Sequence, residues 1–429
     1  MTKIKQIFAS EILNSRGEPT IQTKIVLDNG LKARATVPVG ASKGKHEAMD
    51  LRDRDSLRYN GQGVLKACKN IQDIIVPKLI GIDISEQIQI DKILIGLDAT
   101  PNKFNLGANA LLSVSLACCR AGALDSNLHL YEYIREKYYR GDLVGYKLPI
   151  PIFNMINGGK HSDDRFEIQE FNIIPFNNSS FREKFRTSVE IFHLLKNAIK
   201  TRYGYFATVG DEGGFTPSIT QNEEALDLLQ TAVNNSSYKL GEEIVFGLDV
   251  AADGFYDMQK RKYIINKREN SSEDMIGLYK EWAHRYPLAI IEDGLAQDSW
   301  LQWKELKKAL LSINPKFLIV GDNLFTTNIA LLRKGILNDS ANAISVKANQ
   351  VGTLSETIKC INFARRAGYK ITISHRSGET NDTFISDLAV AVNADFIKAG
   401  APNRGERVAK YNRLIGIEDE LKADPTGQL

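Results

Sequence analysis

Hydrophobic and polar positions change their period twice along this chain. Residues 20–28, TIQTKIVLD, alternate in polarity, as a strand with one covered face does. Asn29-Gly30 follows, the strongest short hairpin signal. The first 60 residues read as strands. From Gly63 to about Tyr139 the apolar residues recur at helical spacing with few β-branched blocks. Strands followed by helices predict a small α+β domain. A polar stretch containing Gly141, Gly145 and Pro149 predicts a boundary near residues 140–148, dividing 1–139 from 140–429.

Beyond it, six short apolar runs each end in a polar or charged residue. IVFGLD ends at Asp249, LAIIED at Glu292 and Asp293, FLIVGD at Asp322, AISVK at Lys347, ITISH at His375 and DFIK at Lys398. Helical patterns fill the gaps, at 273–286, 298–311, 328–337, 353–368 and 382–392, and Thr353 with Glu356 has the spacing of a capping box. Alternating strands and helices with right-handed crossovers predict a parallel sheet. This many units fit a closed (β/α)8-type barrel better than an open sheet. No glycine-rich dinucleotide fingerprint follows any strand, which argues against a Rossmann arrangement. The fold class expected is therefore α/β, an N-terminal α+β domain followed by a barrel. Barrel strands point their C-terminal ends at one face, where catalytic groups gather. That accounts for acids at the ends of buried runs.

Three such acids, Asp249, Glu292 and Asp322, offer the hard oxygen ligands that Mg²⁺ prefers. The alternative is solvated loop starts or helix caps. Lys347 and Lys398 also end strands, and desolvation beside a metal charge would lower the pKa of Lys347. The alternative for both is a salt bridge to the same acids. SHRSGET supplies His375, Arg376 and Ser377, the elements of a phosphate cradle. VGDEGGF carries Glu212, and EIQEF carries Gln169 and Glu170. Acids and a lysine base around a metal point to proton abstraction beside a carboxylate, followed by elimination. GASKGKHEA lacks P-loop spacing, with three residues between Gly40 and Gly44 and no Ser or Thr after Lys45. A mobile lid is the better reading.

The bulk numbers narrow the partners. The chain has 429 residues, beyond the usual reach of one core, which agrees with two domains. A formal net charge of +3 without a long basic block gives no electrostatic support for nucleic-acid binding. Cys68, Cys118, Cys119 and Cys360 lack metal-ligand spacing, and Cys118-Cys119 sit in a small-residue helical pattern where core packing is the expected role. No signal peptide and no apolar run long enough for a membrane span are evident, so a cytoplasmic, reduced protein is expected.

The segments LNSRGEPT, GASKGKHEA, NKFNLGANA, NGGKH, IQEF, VGDEGGF, GLDVAA, IIED, VGDN, VKANQVGT, SHRSGET and IKAGAPNRGER occur in this order. Together they resemble the enolase family over essentially the whole chain. The resemblance implies a modified eight-stranded barrel of TIM type, dehydration of 2-phosphoglycerate to phosphoenolpyruvate with two Mg²⁺ ions, and a homodimer or larger assembly. It implies that Asp249, Glu292 and Asp322 hold one Mg²⁺, and that lid Ser42 helps hold the second through the substrate phosphate. It further implies Lys347 as the base, Glu212 supported by Glu170 at the leaving hydroxyl, and Arg376 and Ser377 on phosphate. Lys398 would meet the substrate carboxylate, with Gln169, His161 and His375 lining the pocket. The chain departs from the family pattern at Lys43, where threonine is usual, at Ser162, Asp163 and Asp164, and at Asn14, Asn323 and Asn381. Gly294 stands in place of a proline, which is expected to loosen the turn after Glu292. These departures keep a second reading in view, a paralogue dehydrating a related 2-phospho or phosphono acid, as in phosphonate biosynthesis. An inert scaffold is a third, and the joint presence of Lys347, Glu212 and three metal acids speaks against it.

Lys43, Asp163 and Asp164 change charge on loops expected to surround the substrate. Lys43→Thr combined with Ser162→Ala, Asp163→Gly and Asp164→Asn is expected to shift the ratio of kcat/KM between 2-phosphoglycerate and bulkier phospho or phosphono acids. A substrate panel measures this, and unchanged ratios would remove both loops from the specificity argument.

Overall fold

Strands β1 (Ile4–Leu13), β2 (Pro19–Leu27) and β3 (Lys32–Thr36) form an antiparallel sheet in that order. The computed structural model describes residues 1–40, 44–159, 166–177 and 179–423. The Asn29-Gly30 turn forms as expected. Gly30 takes φ +89°, and the Asn29 side-chain oxygen accepts the Leu31 N–H at 3.1 Å. The alternation in β2 does not become alternation in burial, because Thr20 and Thr23 are buried too. Their hydroxyls are satisfied internally, Thr20 by the Val37 carbonyl at 2.6 Å and Thr23 by Ser113 at 2.7 Å. A buried hydroxyl costs little when it is hydrogen-bonded. Ser113 belongs to the helix Ala108–Asp125, in which every residue from Ala108 to Ala123 except Arg120 is buried. Its small residues allow close approach; a Cβ on Gly122 would lie 2.2 Å from the Tyr133 hydroxyl oxygen. Cys118 and Cys119 pack inside this helix, and all four cysteines are buried and free.

The second sheet is a closed barrel. Its strands are β4 (Ile150–Asn157), β5 (Glu170–Pro175), β6 (Ile244–Asp249), β10 (Leu288–Glu292), β11 (Leu318–Gly321), β12 (Ala343–Val346), β13 (Lys370–Ser374) and β14 (Phe396–Lys398). Three short strands, β7 (Tyr256–Asp257), β8 (Lys262–Ile265) and β9 (Arg268–Asn270), form a separate small sheet between β6 and β10. They explain why the step from Asp249 to Glu292 is the longest. The five expected helices form as Ser272–Arg285, Trp300–Ile313, Ile329–Leu337, Leu354–Arg366 and Phe384–Ala391. Thr353 caps the fourth, accepting the Glu356 N–H at 3.3 Å.

The barrel is not parallel throughout, which corrects the uniform alternation expected from the sequence. β5 runs antiparallel to both β4 and β6. Positions 158–169 connect β4 to β5, and two helices, Phe181–Tyr203 and Asn222–Asn234, follow β5. The reversal matters for the site, because the first residue of β5 meets the last residues of its neighbours. Glu170 pairs in register with Asn157 and Asp249, and Asp249 with Glu292.

Among the described residues, no helix is long and apolar enough to cross a membrane. Between Tyr139, which ends the helix Leu130–Tyr139, and Ile150 there is no regular element; we propose the domain boundary at 139/140. The two parts are joined by buried and partly buried polar contacts. Arg120 pairs with Asp382 at 2.7 Å and Lys103 with Glu356 at 2.8 Å. Asp91, on the helix Gln87–Asp98, is fully buried. It accepts hydrogen bonds from Gln87 at 3.0 Å, Ser115 at 2.7 Å, and the Ser355 amide and hydroxyl at 2.9 and 2.7 Å. Burial raises its pKa while these donors oppose the rise. Asp91→Ala should cost about 3 kcal/mol, because it strands several buried donors at once. Asp91→Asn, which keeps one acceptor oxygen, should cost less. Urea unfolding midpoints test both.

Candidate active site

The mouth of the barrel is assembled from strand ends. Glu170, Asp249 and Glu292 stand side by side in the hydrogen-bonded register of β5, β6 and β10. Lys398, the last residue of β14, reaches all three. Its Nζ lies 2.7 Å from Asp249, 2.8 Å from Glu292 and 3.3 Å from Glu170. All four side chains are buried. Burial alone would lower the Lys398 pKa, but the carboxylates outweigh it and hold it well above the ordinary lysine value. One ammonium cannot neutralise three carboxylates. Burial pushes Glu170 up to about 8, with Lys398 opposing and Glu212 and Asp249 reinforcing. Burial likewise pushes Glu292 up to about 8, with Lys398 opposing and Asp249 and Asp322 reinforcing. The Glu292 Oε1 atom is buried and accepts no hydrogen bond from the described residues.

Asp293 answers why two acids follow each other. It adopts φ +45°, uncommon outside glycine. This turns its carboxylate away from Glu292 to accept the N–H groups of Asp322 at 3.0 Å and Asn323 at 2.7 Å. Asp293 thus fixes the loop after β11 that carries Asp322. Asp322 forms an ion pair with Lys347 and accepts a hydrogen bond from Gln350 at 2.9 Å. Without a metal ion, burial lowers the Lys347 pKa, but the adjacent Asp322 charge wins and holds it above the ordinary value. Both lysines pair with the acids, as the salt-bridge alternative anticipated.

His375 and Arg376 follow β13. Arg407 donates to His375 Nδ1 at 2.6 Å and also to the carbonyls of Arg376 and Ser377. Burial and then Arg407 hold the His375 pKa well below the ordinary value. The ring is therefore neutral, and with Nδ1 accepting, its proton lies on Nε2, 3.5 Å from Glu212. Glu212 also accepts from Asn154 at 3.0 Å and is hydrogen-bonded to Glu170. Arg376 is turned onto Glu47, at 2.9 and 3.2 Å, and donates to Asn349 at 3.1 Å. Glu47 in turn accepts the Gly44 N–H at 2.9 Å and Gln350 at 3.3 Å. Gly40 lies against Arg376 so closely that a Cβ there would overlap the guanidinium. Gln169 and Ser377 are buried at the same mouth.

Ser42 and His161, together with Lys43, Ser162, Asp163 and Asp164, lie outside the described residues. The other named side chains come together. Glu47, Gln350, Asn154 and Arg407 were assigned no role from the sequence. Glu47 and Arg407 do fall inside the GASKGKHEA and NRGER segments, but nothing in a sequence announces that an arginine will be buried. At Gly294 a Cβ would meet Ile291 at 2.7 Å and Leu306 at 3.1 Å, and the Tyr279 hydroxyl donates to the Gly294 carbonyl at 2.8 Å. At Asn14 the side-chain oxygen accepts the Arg16 and Glu18 N–H groups at 2.8 and 3.1 Å, and the amide nitrogen donates to Glu18 at 3.4 Å.

Residues 145–426 match the family described as enolase, C-terminal TIM barrel domain, and residues 4–134 match that described as enolase, N-terminal domain.

The site predicts a pH dependence of the metal-free protein. Glu170 and Glu292 titrate near 8 when folded, against 4.5 ordinarily. The folded state therefore holds extra protons, and stability falls as pH rises towards 8. His375, held below 6.5, acts in the opposite sense, but only below its ordinary value. Between pH 6.5 and 8 the acids dominate. In the presence of a chelator, Tm should drop by about 2 °C or more across that window, and saturating Mg²⁺ should flatten the slope. Differential scanning calorimetry provides the measurement.

Proposed function

The chain belongs to the enolase family, and on that premise we propose how its residues divide the reaction. Its activity is that of a phosphopyruvate hydratase, a lyase of glycolysis that dehydrates 2-phosphoglycerate to phosphoenolpyruvate. The substrate is a phosphorylated acid, and the family and the buried acids give the chain a metal site. One observation carries the division of roles. A lysine paired to an acid on one strand end and a proton-sharing Glu170–Glu212 pair both open onto a single mouth.

Two groups of ligands compete for the metal. The ligating atoms of Glu170, Glu212 and His375 lie within 4.8 Å of one another. We favour Asp249, Glu292 and Asp322 for the first Mg²⁺. They offer oxygen alone, the donor set of Mg²⁺, and the orphaned Glu292 Oε1 lacks a partner that a cation would provide. Glu170, Glu212 and His375 are already linked by protons. Ser42 would serve a second Mg²⁺ through the substrate phosphate. Bound there, the cations supply positive charge against the negative charge that gathers on the substrate carboxylate.

Arg376 and Ser377 hold the phosphate and Lys398 the carboxylate, with Gln169, His161 and His375 lining the pocket. Lys347 Nζ takes the proton from C2. To do so it must be a free amine; Asp322, which pairs with Lys347 here, would hold its proton less firmly if it served as a metal ligand. Glu212, supplied by the proton it shares with Glu170, protonates the C3 hydroxyl as the C3–O bond breaks and water leaves. Neutral His375 orients Glu212 through its Nε2–H. We further propose two Mg²⁺ per site, a homodimer or larger homo-oligomer, as in the family, and a cytoplasmic location, supported by the four free cysteines.

Lys347→Ala should abolish both phosphoenolpyruvate formation and exchange of the C2 proton with deuterated water, each by about 10²–10⁴-fold. Glu212→Gln should lose dehydration yet retain C2 exchange. Mass spectrometry of recovered 2-phosphoglycerate, alongside ultraviolet detection of product, separates the two. If Lys347→Ala still exchanges, or Glu212→Gln loses exchange as fully, the assignment of base and acid fails.

A further inference from the structure

The opposite end of the barrel is also open. A cavity of about 620 Å³ sits at the lower mouth, away from the catalytic strand ends. Its size falls within the usual range for small-molecule sites. The lumen there has its own apolar layer, including Ile152, Ile174, Ile290 and Phe396, separate from the main core. Barrel interiors are normally closed by their own side chains. Here Ile150, Val245, Ala289 and Leu318 remain partly exposed, and Phe176 at the end of β5 is half exposed. The rim is basic. Lys147 precedes β4, Lys316 precedes β11 and Lys370 begins β13, and all three line the cavity. Lys370 is paired with Asp395 at 2.9 Å. Lys147 and Lys316 are exposed and have no ion-pair partner among the described residues.

We propose that this lower mouth binds a single-chain amphipathic carboxylate, its alkyl chain in the cavity against the apolar layer and its head group on Lys147 and Lys316. The apolar layer removes the chain from water. Two unpaired ammonium groups supply the charge that a carboxylate complements, and a cation or a neutral polar ligand finds no such match. The cavity is concave and lined by the ends of strands, Ile150, Leu318 and Lys370 among them, and its volume suits one short chain rather than a flat surface. Nothing in this site overlaps the reacting groups at the other mouth.

The experiment is titration of the full-length protein with decanoate, below its micelle-forming concentration, by isothermal calorimetry. One saturable site per chain is expected, with decanol at least tenfold weaker. Lys147→Glu combined with Lys316→Glu should weaken decanoate at least tenfold while leaving turnover of 2-phosphoglycerate unchanged. Ala289→Phe, which fills the cavity, should also lose binding, and an unaltered thermal transition identifies folded variants. Saturating 2-phosphoglycerate with Mg²⁺ should not compete. The proposal is overturned if no saturable heat appears or if the double lysine variant binds as tightly as the parent. It is equally overturned if substrate displaces decanoate, if vesicles of anionic phospholipid bind in place of the single chain, or if Ala289→Phe and the lysine changes alter the oligomeric state instead of binding.

Discussion

Three buried carboxylates around one buried ammonium set the terms for the rest of the molecule. Glu170, Asp249 and Glu292 surround Lys398 within hydrogen-bonding or ion-pair distance. Like charges in a low-dielectric setting repel strongly, and burial makes each ionised group expensive. The protein meets this with protons on Glu170 and Glu292 and with the single lysine. Such an arrangement is electrostatically incomplete, because the acids outnumber the cation. A site poised in this way favours any hard cation that can replace protons. Lys398 stays charged on the last strand because Asp249 and Glu292 hold its ammonium at 2.7 and 2.8 Å.

The remaining side chains transmit that arrangement across the mouth. Asp293 uses an uncommon backbone conformation to grip the next strand's loop, and Gln350 links Asp322 to Glu47. Glu47 occupies Arg376 and accepts the N–H of Gly44. The N-terminal part is drawn in as well. Val39 and Gly378 exchange backbone hydrogen bonds at 2.8 Å, and the Ser15 N–H donates to the Glu379 carbonyl at 2.7 Å. The smaller domain therefore completes the site rather than merely covering it.

Much of this was legible in the chain. Apolar runs ending in Asp249, Glu292, Asp322, Lys347, His375 and Lys398 become barrel strands because buried β-branched segments bounded by polar residues have few other uses. The helix periods and the Thr353 cap were equally plain. The reversal of β5 was not, since a buried six-residue strand looks the same in either direction. Direction is set by how long the connection is and what it can span, which is a property of the whole topology. Partners were also hidden. That Lys347 would be held by Asp322, that Arg407 would lock His375, and that Gly294 would be pressed against Ile291 depend on which strands become neighbours.

The register of Glu170, Asp249 and Glu292 has one more consequence. Adjacent strands in a sheet are held about 4.8 Å apart by amide hydrogen bonding. The carboxylates that stand on those strands therefore inherit their spacing from the backbone, as marks on a ruler do. A side chain can swing within its rotamers, but its point of attachment is metered by peptide geometry. Surface loops can lengthen, shorten or change charge, and substrate preference can drift with them. The spacing of the acids around Lys398 stays constant unless a strand itself slips.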